Sequence, residues 1–134
     1  MPHAERFAKN LYLCDDKKRN RYLAVVPHDT RTNLKKLADT IGSRRLRFAN
    51  EDDLEARLLV SRGSVTPLAV LNDADHQVEV IFDERFREGV VGVHPMVNTA
   101  TVYVPAKALV ELIRAHGNPV MFVDFASMAQ RDDE

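Results

Sequence analysis

The chain reads as one α+β domain built on a mixed, mostly antiparallel β-sheet with flanking helices. Three observations predict it. The 134 residues are 45% apolar and contain no linker, internal repeat or low-complexity block, the usual size and composition of one domain with one core. Short runs rich in β-branched and aromatic residues recur along the chain, each bounded by polar or Gly/Pro residues. Between them lie segments whose apolar residues recur at i, i+3, i+4 and i+7, the spacing of one helix face.

Residues 10–14 and 21–27 are apolar runs separated by the polar stretch 15–20, which predicts two antiparallel strands joined by a charged turn. Leu34, Leu37, Ala38 and Ile41 line one face of a helix, and Gly42 stands where a left-handed residue would end it. Asn50 offers an N-cap, and Glu51, Asp52 and Asp53 a first turn of carboxylates that complements the helix dipole. A second, shorter helix should therefore run through Leu54 and Leu58 and end before Gly63. Residues 68–71, 78–82, 90–93 and 99–104 are short and rich in β-branched residues, and are expected as strands. Pro105 suits the first turn of a third helix, with Ala108, Leu109, Leu112 and Ile113 as its apolar stripe and His116-Gly117 as its stop. Residues 120–125 make a last buried strand, and residues 131–134 a frayed tail. The expected order is β-β-α-α-β-β-β-β-α-β.

Composition narrows the function classes. The longest apolar runs fall far short of the roughly 20 residues of a membrane span, and the first six residues lead into no apolar signal core, so a soluble, unsecreted, cytoplasmic protein without membrane partners is expected. The single Cys14 excludes an intrachain disulfide and a multi-cysteine zinc site; inside the run 11–14 it reads as a strand residue rather than a nucleophile. There is no G-x-S-x-G elbow, Walker loop, G-x-G-x-x-G or H-E-x-x-H, and the five histidines lack metal-ligand spacing, so neither a metal nor a cofactor is expected. The formal net charge of −1 hides an asymmetry. Residues 1–47 hold 12 Lys/Arg against 5 Asp/Glu, whereas residues 48–134 hold 7 against 15. A basic surface carrying Lys17, Lys18, Arg19, Arg21, Lys35, Lys36, Arg44, Arg45 and Arg47 could meet phosphates; it could equally be a solvated turn and helix face.

Two polar clusters remain. In Gly63-Ser64-Val65-Thr66-Pro67, Gly63 can adopt positive φ, while Pro67 fixes its own φ and pushes Thr66 into an extended shape. The free N–H groups between them could point at an anion or a carbonyl oxygen, although a plain turn has the same composition. In the stretch 92–101, His94 precedes Pro95 and is held extended, where its ring could donate to a ligand; Asn98 and Thr99 could add donors or simply satisfy their own backbone.

Taken together, Lys9-Asn10-Leu11-Tyr12-Leu13, Leu46-Arg47-Phe48-Ala49, Gly63 to Pro67, Leu71-Asn72-Asp73 and the run His94 to Thr101 resemble, in this order and spacing, the YbaK-like editing domains associated with prolyl-tRNA synthetase. The likeness is strongest to their free-standing prolyl-tRNA deacylase branch and covers roughly residues 7–125 of a single domain that spans 1–134. It implies a hydrolase that cleaves the ester joining a wrong amino acid, above all alanine, to tRNA(Pro). On this likeness Lys9 and His94 match the family's functional lysine and pocket histidine. Asn10, Gly63, Ser64, Val65, Thr66, Pro67, Asn98 and Thr99 would bind the substrate, and the family mechanism recruits a hydroxyl of the substrate's own terminal ribose.

The segment ahead of Lys9 is shorter than in the family, where it helps wall the pocket; a homodimer covering the open side is one expected remedy. The alternative reading is a non-catalytic module that binds the aminoacyl end of tRNA in a regulatory role. A small-ligand or protein-interaction domain is a third. Leu68, Val70 and Val102 are candidates for setting the pocket depth.

Overall fold

A computed structural model describes residues 8–17, 19–28, 30, 32–60, 65–93 and 102–125 of the chain. Strands β1 (Ala8–Asp15) and β2 (Arg21–Pro27) pair antiparallel from Ala8 opposite Pro27 to Cys14 opposite Arg21. Their turn closes on a buried carboxylate, since Asp15 accepts hydrogen bonds from the Arg19 N–H at 2.8 Å and from Asn20 Nδ2 at 3.0 Å. Helix α1 (Leu34–Ile41) follows, capped by Asn33, whose Oδ1 accepts from the Lys36 N–H at 3.1 Å. It stops at Gly42, whose φ of 73° is the left-handed geometry that favours glycine.

Strand β3 (Leu46–Phe48) then pairs antiparallel with the free edge of β1. Only Leu46 of its three residues is buried, so the chain there reads as charged loop even though the backbone pairs. Helix α2 (Glu51–Leu58) begins at Asn50, whose Oδ1 accepts from the Asp53 N–H at 2.8 Å.

The run 68–71 is a correction to the expected order. It lies in a 3₁₀ helix, Pro67–Asn72, rather than a strand. Pro67 supplies a preset φ at its first position and has no N–H to lose, and Ala69 and Val70 point into the core. A four-residue apolar run cannot by periodicity alone distinguish a buried strand from such a turn. Asn72 anchors it by donating from Nδ2 to the Leu58 carbonyl at 2.8 Å.

Strands β4 (Val78–Asp83), β5 (Val90–Val93), β6 (Val102–Pro105) and β7 (Val120–Val123) complete the fold, with helix α3 (Ala106–His116) between β6 and β7. The main sheet runs β3-β1-β2-β4-β7, and β5 and β6 form a separate two-stranded ribbon. The β2–β4 and β4–β7 pairs are parallel and the other three antiparallel, because each parallel pair is bridged by a long crossover carrying helices. The second correction concerns α3. Leu109 and Ile113 are buried as expected, but their partners are Ala106 and Val110, while Ala108 and Leu112 face outward. Pro105 ends β6, so Ala106 enters the helix already inside the core and sets the phase. Strand β7 also stops at Val123, short of residue 125, although Phe125 remains buried with its N–H on Asp83 Oδ1 at 3.0 Å.

Alternate strand residues feed two cores, one on each face of the sheet. Tyr12, Leu23, Val25, Val80 and Phe82 pack under α2, α3 and the 3₁₀ helix; Leu13, Ala24, Val26 and Ile81 pack against Leu37 and Ala38 of α1.

Candidate active site

The site starts from the stretch of β1 edge that β3 leaves uncovered. The Tyr12 carbonyl accepts a hydrogen bond from the Ala49 N–H at 3.0 Å, just past the end of β3. Main-chain groups two residues apart on a strand point the same way, so the N–H and C=O of Asn10 face this same edge, beyond the point where β3 can pair with it. A cavity of about 400 Å³ opens there. Its floor is Asn10, Leu11 and Tyr12, with walls from Phe48 and Ala49, from Leu54 of α2 and from Val65. The volume and apolar lining suit a small aliphatic group.

Asn10 ties the loop ahead of the 3₁₀ helix to β1, donating from Nδ2 to the Val65 carbonyl at 3.2 Å. A carbonyl can only accept, so this contact fixes the amide orientation and leaves Oδ1 as a pure acceptor. Asn10 Oδ1 and Thr66 Oγ1 are buried and have no hydrogen-bond partner among the described residues. Thr66 is extended, with φ −149° and ψ 151°, as the following proline demands. Buried polar atoms are normally paired, so an orphan acceptor beside a cavity marks a place for an incoming donor.

A polar network holds the α2 wall. Arg21 on β2 grips Asp53 of α2 through two parallel contacts, Nε to Oδ2 at 2.9 Å and Nη2 to Oδ1 at 3.0 Å, and the Tyr12 hydroxyl donates to Asp53 Oδ2 at 2.7 Å. Burial pushes the Asp53 carboxyl up, but the hydrogen bonds from Arg21 and Tyr12 outweigh it and hold its pKa below the ordinary value. The Tyr12 phenol is held well above its usual range, first by burial and then by the Asp53 carboxylate, so it stays a neutral donor.

The structure thus brings together Asn10, Val65 and the Leu46–Ala49 segment. Thr66 and Pro67 adjoin them in the chain. Gly63, Ser64, His94, Asn98 and Thr99 lie outside the described residues. Lys9 pairs opposite Val26 and Asn10 opposite Val25, so the two neighbours face opposite sides of the sheet, Lys9 toward the α1 side. Val70 is fully buried in the core, and Leu68 packs against that core; neither lines the cavity. The side chain of Val102 is not among those described. Sequence reasoning did not single out Tyr12, Leu54 or the Arg21–Asp53 pair for the site. The signal lay in Tyr12, two residues past Asn10, since period-2 alternation sets both on one face.

Comparison with known proteins gives the family. Residues 2–112 match the family described as the aminoacyl-tRNA editing domain. The prolyl-tRNA editing protein ProX of Acetoanaerobium sticklandii is 42% identical over 117 residues, covering 87% of this chain and 71% of that protein. The mouse prolyl-tRNA synthetase associated domain-containing protein 1 is 36% identical over 134 residues, covering 93% and 79%. A crystal structure of a proposed trans-editing enzyme for prolyl tRNA synthetase superposes with a TM-score of 0.68 at 21% identity over 90% of this chain and 70% of that one, a likeness of fold. With a family match over residues 2–112 and a relative 42% identical across 87% of its length, the chain belongs to the aminoacyl-tRNA editing domain family.

Proposed function

We propose that this protein is a trans-editing hydrolase that removes a wrongly attached small amino acid, alanine first, from tRNA(Pro). The observation that carries the reading is the small apolar cavity at the open edge of β1, with the orphan acceptor Asn10 Oδ1 at its floor. An alanyl methyl fits apolar walls, and the α-ammonium supplies the donor that Oδ1 lacks. Main-chain N–H groups of the edge and of the loop 63–67 would hold the developing oxyanion. An aminoacyl ester is already activated, so orientation of a water or of the substrate's own ribose hydroxyl is sufficient chemistry. The family likeness assigns Lys9 to the phosphate near the terminal adenosine and His94, Asn98 and Thr99 to the pocket. Excluding proline while admitting alanine is a steric task, the easier direction for a pocket of fixed size.

Incubation with alanyl-, cysteinyl- and prolyl-tRNA(Pro) should release alanine fastest, and Lys9→Ala should abolish the release. No release above buffer at high enzyme concentration would overturn the reading. One observation favours a second reading, a non-catalytic module for the aminoacyl end: Lys9 lies on the sheet face away from Asn10. In that case charged tRNA binds in a salt-dependent manner without being hydrolysed.

A further inference from the structure

At the opposite end of the sheet from β3, strand β7 has β4 on one side and no described strand on the other. The Val80 N–H donates to the Pro119 carbonyl at 2.9 Å, so that carbonyl is turned toward β4. Main-chain groups alternate in direction along a strand, so those of Met121 also face β4, whereas the N–H and C=O of Val120 and Phe122 point outward. Open edges are usually blunted by a charged residue, a proline or a bulge within the strand. Residues 120–123 are Val, Met, Phe and Val, and the first three are only half-buried. Beside this edge, on the α3 side of the sheet, lies a second cavity, of about 200 Å³, with Val110 and Phe122 as its apolar wall. Glu84 and Arg87 form a two-point ion pair, at 2.6 and 3.0 Å, and the Arg87 guanidinium lies over the Phe122 ring, 4.4 Å from its centre. Lys107, Glu111 and Arg114 stand at i, i+4 and i+7 on one face of α3, are exposed, and make no side-chain hydrogen bond or ion pair among the described residues. With Arg87 neutralised by Glu84, two unpaired cations face one unpaired carboxylate.

An open strand edge supplies main-chain hydrogen bonds to any extended chain, and the pockets beside it choose the side chains. We infer that β7 is a docking edge for an extended protein segment that alternates acidic with aliphatic residues. The outward N–H and C=O groups of Val120 and Phe122 carry the ladder. Side chains of the added strand alternate between the faces of the sheet, so its carboxylates fall on the α3 side beside Lys107 and Arg114, and its aliphatic groups on the α1 side beside Met121. Charge argues against a second copy of this chain as the occupant. Antiparallel pairing of β7 with its copy has a twofold axis perpendicular to the sheet, which sets both α3 helices on one face and brings the cations of one copy toward those of the other. The inference is independent of the proposed editing function, since this edge and the first cavity lie at opposite ends of the sheet.

The test is a fluorescence anisotropy titration of the full chain with a labelled octapeptide of alternating Val and Glu, blocked at both ends. The wild type should bind it and should ignore an octapeptide of alternating Val and Lys. Lys107→Ala and Arg114→Ala should each weaken binding about threefold and together about tenfold, the scale of exposed charge pairs. Lys107→Glu combined with Arg114→Glu should transfer the preference to the Val-Lys peptide; both positions are exposed, so the exchange leaves the core intact. Methylating the nitrogens of either the Val or the Glu residues separates the ladder from the charges, because only one of the two sets faces β7. One methylated peptide should lose binding and the other keep it. Failure of the wild type to bind the Val-Glu peptide overturns the docking edge, and so does unchanged binding by the double alanine variant or by both methylated peptides. Displacement of the bound peptide by tRNA would assign the edge to nucleic acid, and a dimeric wild type that takes up no peptide would assign it to a second copy; either result also overturns the inference.

Discussion

Asn10 concentrates two opposite duties in one side chain. Its Nδ2 holds the loop through the Val65 carbonyl, and its Oδ1 has no partner among the described residues. Asn10→Ala removes both, leaving the Val65 carbonyl without its donor. The expected outcome is a loss of about 1 kcal/mol of stability and a fall of about tenfold or more in deacylation kcat/KM. Asn10→Asp separates the duties: an acceptor for the ammonium remains, but two oxygens now face each other across the former hydrogen bond. The aspartate variant should therefore melt below the alanine variant while binding alanyl-adenosine no worse than it does. Thermal melting and a KM comparison of the two variants check this, and an aspartate variant as stable as wild type would show that the Val65 contact is not what fixes the loop.

At the scale of elements, α2 is held to the sheet by the Arg21–Asp53 pair and the Tyr12 hydroxyl, and through Leu54 it walls the first cavity. The Asp53 carboxyl has a lowered folded pKa, so its contribution to stability is present above the unfolded carboxylate value, near pH 4, and is lost as pH falls through the lowered folded value. Asp53→Asn should therefore melt several degrees below the wild type at pH 7, and the gap should close as pH falls through the lowered folded value. A gap that stays constant from pH 7 to pH 2.5 would mean that the charge is not the source. Helices α1 and α2 were legible in the sequence because each carries its own local signals: an apolar stripe and the Gly42 stop for α1, the Asn50 cap and first-turn carboxylates for α2. Strand β3 was not, since a three-residue edge strand owes its existence to the backbone of β1 rather than to any pattern of its own. The 3₁₀ helix was missed for a related reason, because its four apolar residues fit either geometry and the choice falls to Pro67 and the surrounding core. Of the site, the Asn10 and Val65 segments were legible as motifs, but the Tyr12–Asp53–Arg21 network joins residues 32 and 41 positions apart and depends on where α2 lands.

Across the whole molecule, the strand order turns the uneven charge of the sequence into a polarity of the surface. The basic residues 1–47 build β1, β2, α1 and most of β3, which occupy one end of the sheet β3-β1-β2-β4-β7, whereas β4 and β7 at the other end belong to the acidic part of the chain. The first cavity lies at the basic end. So does a cleft of about 620 Å³ between α1 and β3, lined by Lys35 and Arg45. Arg44 beside it is already paired with Asp16 at 2.7 Å, so on the proposed function Lys35 and Arg45 are the cleft-lining cations that would meet tRNA phosphates. Each phosphate contact adds roughly 0.7 to 0.9 to the slope of log affinity against log salt. Arg45→Ala should therefore flatten that slope for tRNA(Pro) by about one, and Lys35→Ala with it by about two. Lys107 on α3 belongs to the acidic part of the chain, and Lys107→Ala should leave the slope unchanged. On the proposed function these two residues would meet the tRNA body, outside the first cavity, so the double variant should still hydrolyse alanyl-adenosine at the wild-type rate. Filter binding across a salt series checks the slopes, and an equal loss of slope in the Lys107 variant would show that tRNA senses net charge rather than this end of the sheet.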